Sequence, residues 1–270
     1  MLSNALFALA ALAAAPAPAT SAAAPAAAVR NLQEPQPNTN PDKRPEVEAL
    51  ADKLEKHIKK EGKEDTEAVA VIDQINQEFS KCGPKDRMLL VKSLGKCFDQ
   101  RRLVPEGEPP NNKIYIGAAV ALAQMGPESV DVLMNTIGSK NLRKDLALQH
   151  RLILSLGKTK DKRGLKLLKN LLDDKENALI SASAEALGEF AGADLETRKD
   201  VFEAMLKALM DAKNAKDGDS NNNIAKDKFD IVAAPLITSC AKVSKHEERD
   251  PQAIQAWWNK HKRDDWDKLE

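Results

Sequence analysis

Four oxygen-bearing side chains alternate along "DGDSNNNIAKDK". Asp217, Asp219, Asn221 and Asn223 hold ligand positions 1, 3, 5 and 7 of a calcium loop, and Ile224 supplies the apolar residue that follows. Such spacing lets one turn of backbone aim successive oxygens at a hard cation. Two residues oppose that chemistry. Asn222 stands where the sharp turn needs glycine, and Lys228 where a bidentate glutamate would close the shell. The stretch Asp217–Asn223 therefore reads as an Asn-rich connector, and no metal site is expected. Other chemistry is equally hard to assemble. His57, His150, His246 and His261 have no paired spacing for a metal. No G-x-S-x-G, phosphate-cradling glycine loop or neighbouring Cys and His occurs. Cys82 and Cys97 flank a helical stretch whose length, at 1.5 Å rise per residue, separates them by about 20 Å, beyond disulfide reach. Neither a catalytic residue nor a cofactor is expected.

Two other groups could recognise a partner. Residues 143–169 hold nine Lys or Arg and two Asp, whereas residues 173–200 hold eight acids and three bases. Within the basic block, Lys162, Arg163, Lys166 and Lys169 alternate with leucines and fall on the outward side of one helix, a candidate surface for an acidic partner segment. Near the C-terminus, "DPQAIQAWWNKHKRDDW" places Trp257 three residues after Ile254, on the side facing the preceding helices, with Trp258 and Trp266 alongside. Asp250-Pro251 has the form of an N-cap followed by proline in the first turn. These tryptophans read as a hydrophobic cap on the end of a helical stack; an aromatic binding surface is the rival reading.

The elements that carry these groups are helical. Aromatics are only 4% of the chain, so the core must come from Leu, Ala, Val and Ile, which suits helix-on-helix packing better than a β-sandwich. Leu-Gly or Met-Gly recurs at Leu94-Gly95, Met125-Gly126, Leu156-Gly157 and Leu187-Gly188, 31 residues apart each time, and each pair closes an apolar stretch. A unit of that length holds two helices and two turns, neither helix able to bury its stripe alone. The expectation is an all-α solenoid of stacked antiparallel helix pairs. Each glycine should end one helix with a left-handed cap, and the alanines of "SASAEALGEF" should mark a seam between units.

"LLDDKENALISASAEALGEFA" resembles the short bacterial form of the HEAT repeat, a class shared with phycobilin lyase-like proteins. The resemblance covers roughly residues 85–213. Two departures stand out: the period is shorter than the ~40–47 residues of longer HEAT and armadillo units, and Ile180-Ser181 replaces the Val-Arg pair common at the start of the repeat's first helix. The resemblance implies an armadillo-like scaffold presenting a concave helical surface to another protein. It also admits a lyase or chaperone-type enzyme, which would need an accessible cysteine or an ionisable cluster. Nucleic-acid binding is a third reading, disfavoured by 41 basic against 41 acidic residues.

Before residue 30 no charged side chain occurs. The apolar run Ala5–Ala15 is about half the ~20 residues of a membrane span, and small-x-small sites follow it. Residues 1–28 read as a signal-peptide-like segment that would export the protein to the periplasm or medium, with no membrane span in the mature chain. Residues 29–45 read as a Pro/Asn-rich linker and 46–270 as the helical body.

Overall fold

Side-chain caps written into the sequence start four of the helices. Asp145, Asp194, Asn222 and Asp250 each accept a backbone N–H from three residues onward. The computed structural model describes residues 38–99, 111–219 and 221–269; the leader-like segment and most of the insertion near residue 105 lie outside them. The described residues form eleven α-helices and no strand. In chain order they are α1 (Pro45–Ile58), α2 (Asp65–Phe79), α3 (Pro84–Gly95), α4 (Lys113–Gln124), α5 (Val130–Ile137), α6 (Leu146–Lys158), α7 (Leu165–Leu171), α8 (Asn177–Gly188), α9 (Leu195–Gly218), α10 (Asn223–Ser244) and α11 (Pro251–His261). Among the described residues no helix is long and apolar enough to cross a membrane.

The helices fall into two rows. In the first, α2, α4, α6, α8 and α10 pack each on the next; in the second, α1, α3 and α5 do so, and α7 lies against α9 and α9 against α11. The turn Lys162–Gly164 joins α5 to the rest of that second row. The core between the rows is Leu, Ile, Val and Ala, as the scarcity of aromatics requires.

Helix α8 is the most enclosed. Nine of its twelve residues are buried, because Ser181, Ala182, Ser183, Ala184 and Ala186 let neighbours close in on every side but one. Its serines bond to adjoining helices: Ser183 Oγ donates to the Leu168 carbonyl of α7 and Ser181 Oγ to the Ile231 carbonyl of α10. The second bond has a specific cause. Pro235 lies inside α10 and has no N–H, so the carbonyl four residues earlier, that of Ile231, loses its helical partner. Ser181 replaces it at 3.3 Å. The Ile180-Ser181 departure noted in the sequence thus matches a proline one helix away.

Two expectations about the glycines need correction. Of the four repeat glycines only Gly126 has a left-handed φ, +64°, where the turn requires it; Gly188 is right-handed and Gly157 sits within the last turn of α6. These two are small because a neighbouring helix leaves no room. A Cβ on Gly157 would lie 2.6 Å from Ala186 Cα, and one on Gly188 2.8 Å from Ser239 Oγ. Gly95, moreover, belongs to α3 in the second row and faces Val132, so it is not equivalent to Gly126, Gly157 and Gly188 in the first. The 31-residue register is carried by three glycines rather than four.

Residues 38–44, expected to continue the linker, are instead tied to the start of α3. Asp42 Oδ1 accepts from the N–H groups of Lys85 and Asp86, while the buried Asp86 accepts from those of Lys43 and Arg44. Backbone donors at a helix N-terminus need such partners, and composition alone does not reveal that a preceding segment supplies them.

Gly157→Ala should destabilise the protein by about 1–3 kcal/mol, because the methyl meets backbone that cannot rotate away. Gly192→Ala, with open space around the glycine, should change little. Paired denaturant titrations test this; equal stability of the two variants would refute close packing at Gly157.

Candidate functional site

Three of the four candidate cations in the basic block make ion pairs within the chain. Lys162 Nζ lies 2.5 Å from Asp194 and Lys169 Nζ 2.7 Å from Asp200, both acids of the following α9 segment. Arg163 reaches back 3.3 Å to Asp131 of α5 and 2.9 Å to Asp161. Lys162 and the N–H of Thr197 hold the Asp194 carboxyl well below the usual range. Upstream, Arg143 pairs with Asp174. The unequal charge of neighbouring segments is therefore matched across them, one helix pair to the next. Of the four partner-binding candidates, only Lys166 is exposed with no ion-pair partner among the described residues. Exposed pairs contribute about 0–1 kcal/mol each, so their main effect is to favour one register between successive pairs.

The tryptophans converge on Phe202 of α9. Its ring centroid lies 5.7, 5.3 and 5.4 Å from those of Trp257, Trp258 and Trp266. Trp258 and Trp266 are buried, while Trp257, singled out from its spacing after Ile254, is only half-buried. One face of Trp257 stacks on His246 at 4.8 Å, and His261 lies 5.3 Å away. Helix α11 is thus rotated by about one position from the expected orientation, consistent with Trp266 folding back to fill the other side. The segment is also latched by charge. Arg198, 2% exposed, donates to Asp267 at 2.7 Å, and Lys245 reaches the other oxygen of that carboxylate at 2.7 Å.

Among the described residues no group of three or more His, Cys, Asp or Glu is placed to hold a metal ion. Asp217 lies at the end of α9 and pairs with Lys213, Asp219 accepts from the N–H of Asn221, and Asn222 caps α10. The residues of the suspected calcium loop are thus divided between two helix ends. Cys82, Cys97 and Cys240 are buried, and burial pushes the Cys82 and Cys240 thiols up. His57 pairs with Glu64 and His261 with Asp264, both at 2.8 Å.

What the first row does present is a furrow. Between α4 and α6 a small depression is lined by Val120, Ala123, Gln124, Arg151, Leu154, Ser155 and Lys158. Leu154 and Lys158 also line a larger hollow of about 430 Å³ shared with Glu185 and Glu189 of the α8 segment and Pro235, Thr238 and Lys242 of α10. A third, again about 430 Å³, continues from Thr238 and Lys242 to Lys245 and Arg249. To the larger hollow the α8 segment contributes the long side chains of Glu185 and Glu189, and α10 contributes Ala234, Pro235, Thr238, Ser239 and Lys242. Ile116 and Val120 on α4 and Ile231 on α10 add exposed apolar surface beside it.

Arg151, Lys158, Glu185, Glu189 and Lys242 escaped the sequence reading. The register could have found some of them: Leu154 and Glu185 stand 31 residues apart, as do Lys158 and Glu189. Each pair occupies equivalent outward positions of successive first-row helices. No family model, curated protein or solved structure matches the chain.

Trp258→Ala should cost about 3–5 kcal/mol, and Trp257→Ala distinctly less, read by thermal melts; the reverse order would contradict the packing around Phe202. Acid should loosen the same segment. Lys245 and then Arg198 hold the Asp267 carboxyl below its ordinary range. Its stabilising contribution is therefore present above the unfolded carboxylate pKa of about 3.9 and lost as pH falls through the folded value. Asp267→Asn should lower the melting temperature at neutral pH and narrow the gap to wild type under acid conditions. A constant gap across that range would exclude the carboxylate as the source.

Proposed function

We propose that residues 46–270 form a HEAT-like α-solenoid that binds another protein, with no catalytic step. One observation carries this reading: the continuous furrow along the first row, where α4, α6, α8 and α10 present apolar and charged side chains in turn. The succession of helix pairs, the glycines 31 residues apart and the ion pairs between residues 31–32 apart support the repeat architecture. Burial of all three cysteines weighs against a lyase acting through a thiol. Internal pairing of the basic block weighs against nucleic-acid binding, because those cations already have carboxylate partners. The charge-free, Ala-rich beginning of the sequence supports export, so the partner is sought outside the cytoplasm.

The test is affinity capture from the envelope fraction of the native host, with full-length protein and a Leu154→Asp variant compared in parallel. Leu154 lines both joined hollows, so the variant should lose a specifically retained polypeptide while keeping its helical signal and melting temperature. Equal retention by both proteins would remove the furrow from the binding surface. N-terminal sequencing of the native protein should find a start within residues 17–29; an intact Met1 in a cytosolic fraction would contradict export.

A further inference from the structure

Cations on the two rows differ in one respect. In the second row Lys162, Arg163 and Lys169 all lie within 4 Å of a carboxylate on a neighbouring segment. In the first row Arg151 and Lys158 of α6 are exposed and have no ion-pair partner among the described residues. They lie one and two turns along the same side of one helix, with Leu154 between them, and all three line the depression against α4. That depression has no carboxylate in its lining; Val120 and Ala123 form its apolar wall.

We propose that this end of the furrow binds an acidic peptide segment of a partner protein, its carboxylates on Arg151 and Lys158 and an apolar side chain on Leu154. The inference rests on the reading of the furrow as a protein-binding surface and specifies the chemistry of the occupant. Arg151 offers a planar fork of donors that matches a carboxylate in two-point geometry, and Lys158 a second positive charge one side-chain reach away. A long polyanion fits the same surface poorly. Continuing along the furrow, it would pass Glu185 and Glu189, which share the next hollow with Lys158 and Lys242. A nucleic acid has no means of reversing its charge there. A peptide does, so a basic or neutral residue should follow the acidic pair where the segment crosses α8.

Fluorescence anisotropy with the full chain can decide the matter. The probes are short labelled peptides of one length: Leu flanked by Glu, the same with Gln for Glu, the same with Lys for Glu, and a single-stranded DNA of comparable size. The acidic peptide should bind best and weaken with added salt, because exposed charges are screened over about 10 Å at 0.1 M. Arg151→Glu with Lys158→Glu should reduce its affinity about tenfold or more, while Lys162→Glu, in the other row, should not. The milder Arg151→Gln, Lys158→Gln pair should show a smaller loss in the same direction, and circular dichroism confirms that each variant folds. Tighter binding of the Lys peptide or the DNA would overturn the inference, as would unchanged binding by the reversed variant. Equal binding of all three peptides, lost in Leu154→Asp, would overturn it and leave the scaffold reading intact. Failure of every peptide to bind would defeat both.

Discussion

Close approach of first-row helices through small side chains is the constraint on which the remainder depends. Where α6 meets α8, Gly157 lies against the backbone of Ala186; where α8 meets α10, Gly188 lies against Ser239. A Cβ at either glycine would fall within 3 Å of the opposing helix, a distance real side chains do not tolerate. Small residues on α8 let its two neighbours close in. The consequence is polar: with backbones this near, serine hydroxyls can reach carbonyls of adjoining helices, and one of them compensates the proline in α10. A larger residue at position 181, such as the arginine usual in the resembling repeats, would leave the Ile231 carbonyl without that donor and would have to find room beside α10.

The second row follows a different rule. Its helices are shorter in the middle of the chain, and packing between α5, α7 and α9 is slighter than between their first-row counterparts. Charge complements it there. Lys162, Arg163 and Lys169 on one segment face Asp194, Asp131 and Asp200 on its two neighbours. Each pair is worth little by itself, yet three in register disfavour a slipped arrangement, since a shift would bring like charges together. The uneven charge of successive segments, which in the sequence suggested a docking surface, is what such a ladder requires.

Helical class, the Asp250 cap and the 31-residue spacing were legible because they are local or periodic. Asp250-Pro251 starts α11 as its residue types demand, and the alanines of α8 are buried as a seam should be. Orientation within a helix was less legible. Trp257 and Trp258 are adjacent, and choosing the inward one required knowing that Trp266 returns to pack on Phe202 from the other side. The equivalence of Gly95 with the later glycines failed for a similar reason. Equal spacing along the chain does not tell which row a helix occupies, and the insertion between α3 and α4 restores the numerical period while the row changes. The pairing of the basic cluster was not legible, because sequence shows charges but not their partners: Lys162 is neutralised from a residue 32 positions away, whereas Arg151 has no ion-pair partner among the described residues.

The two rows therefore separate two uses of charge. Lys162, Arg163 and Lys169 of the second row lie near acids of neighbouring segments, and binding a partner through them would first have to break those pairs. Arg151 and Lys158 on the first row line a depression without carboxylates and have no ion pair among the described residues to break, although Lys158 also borders the hollow that holds Glu185 and Glu189. An acidic patch on an incoming chain thus gains more on the first row than on the second, even though the second carries the denser positive charge. Net charge along a sequence does not show which cations keep an uncompensated charge after folding. The same criterion separates the cations of an almost neutral chain, with 41 basic and 41 acidic residues: Lys162, Arg163 and Lys169 have carboxylate partners, whereas Arg151 and Lys158 have none among the described residues.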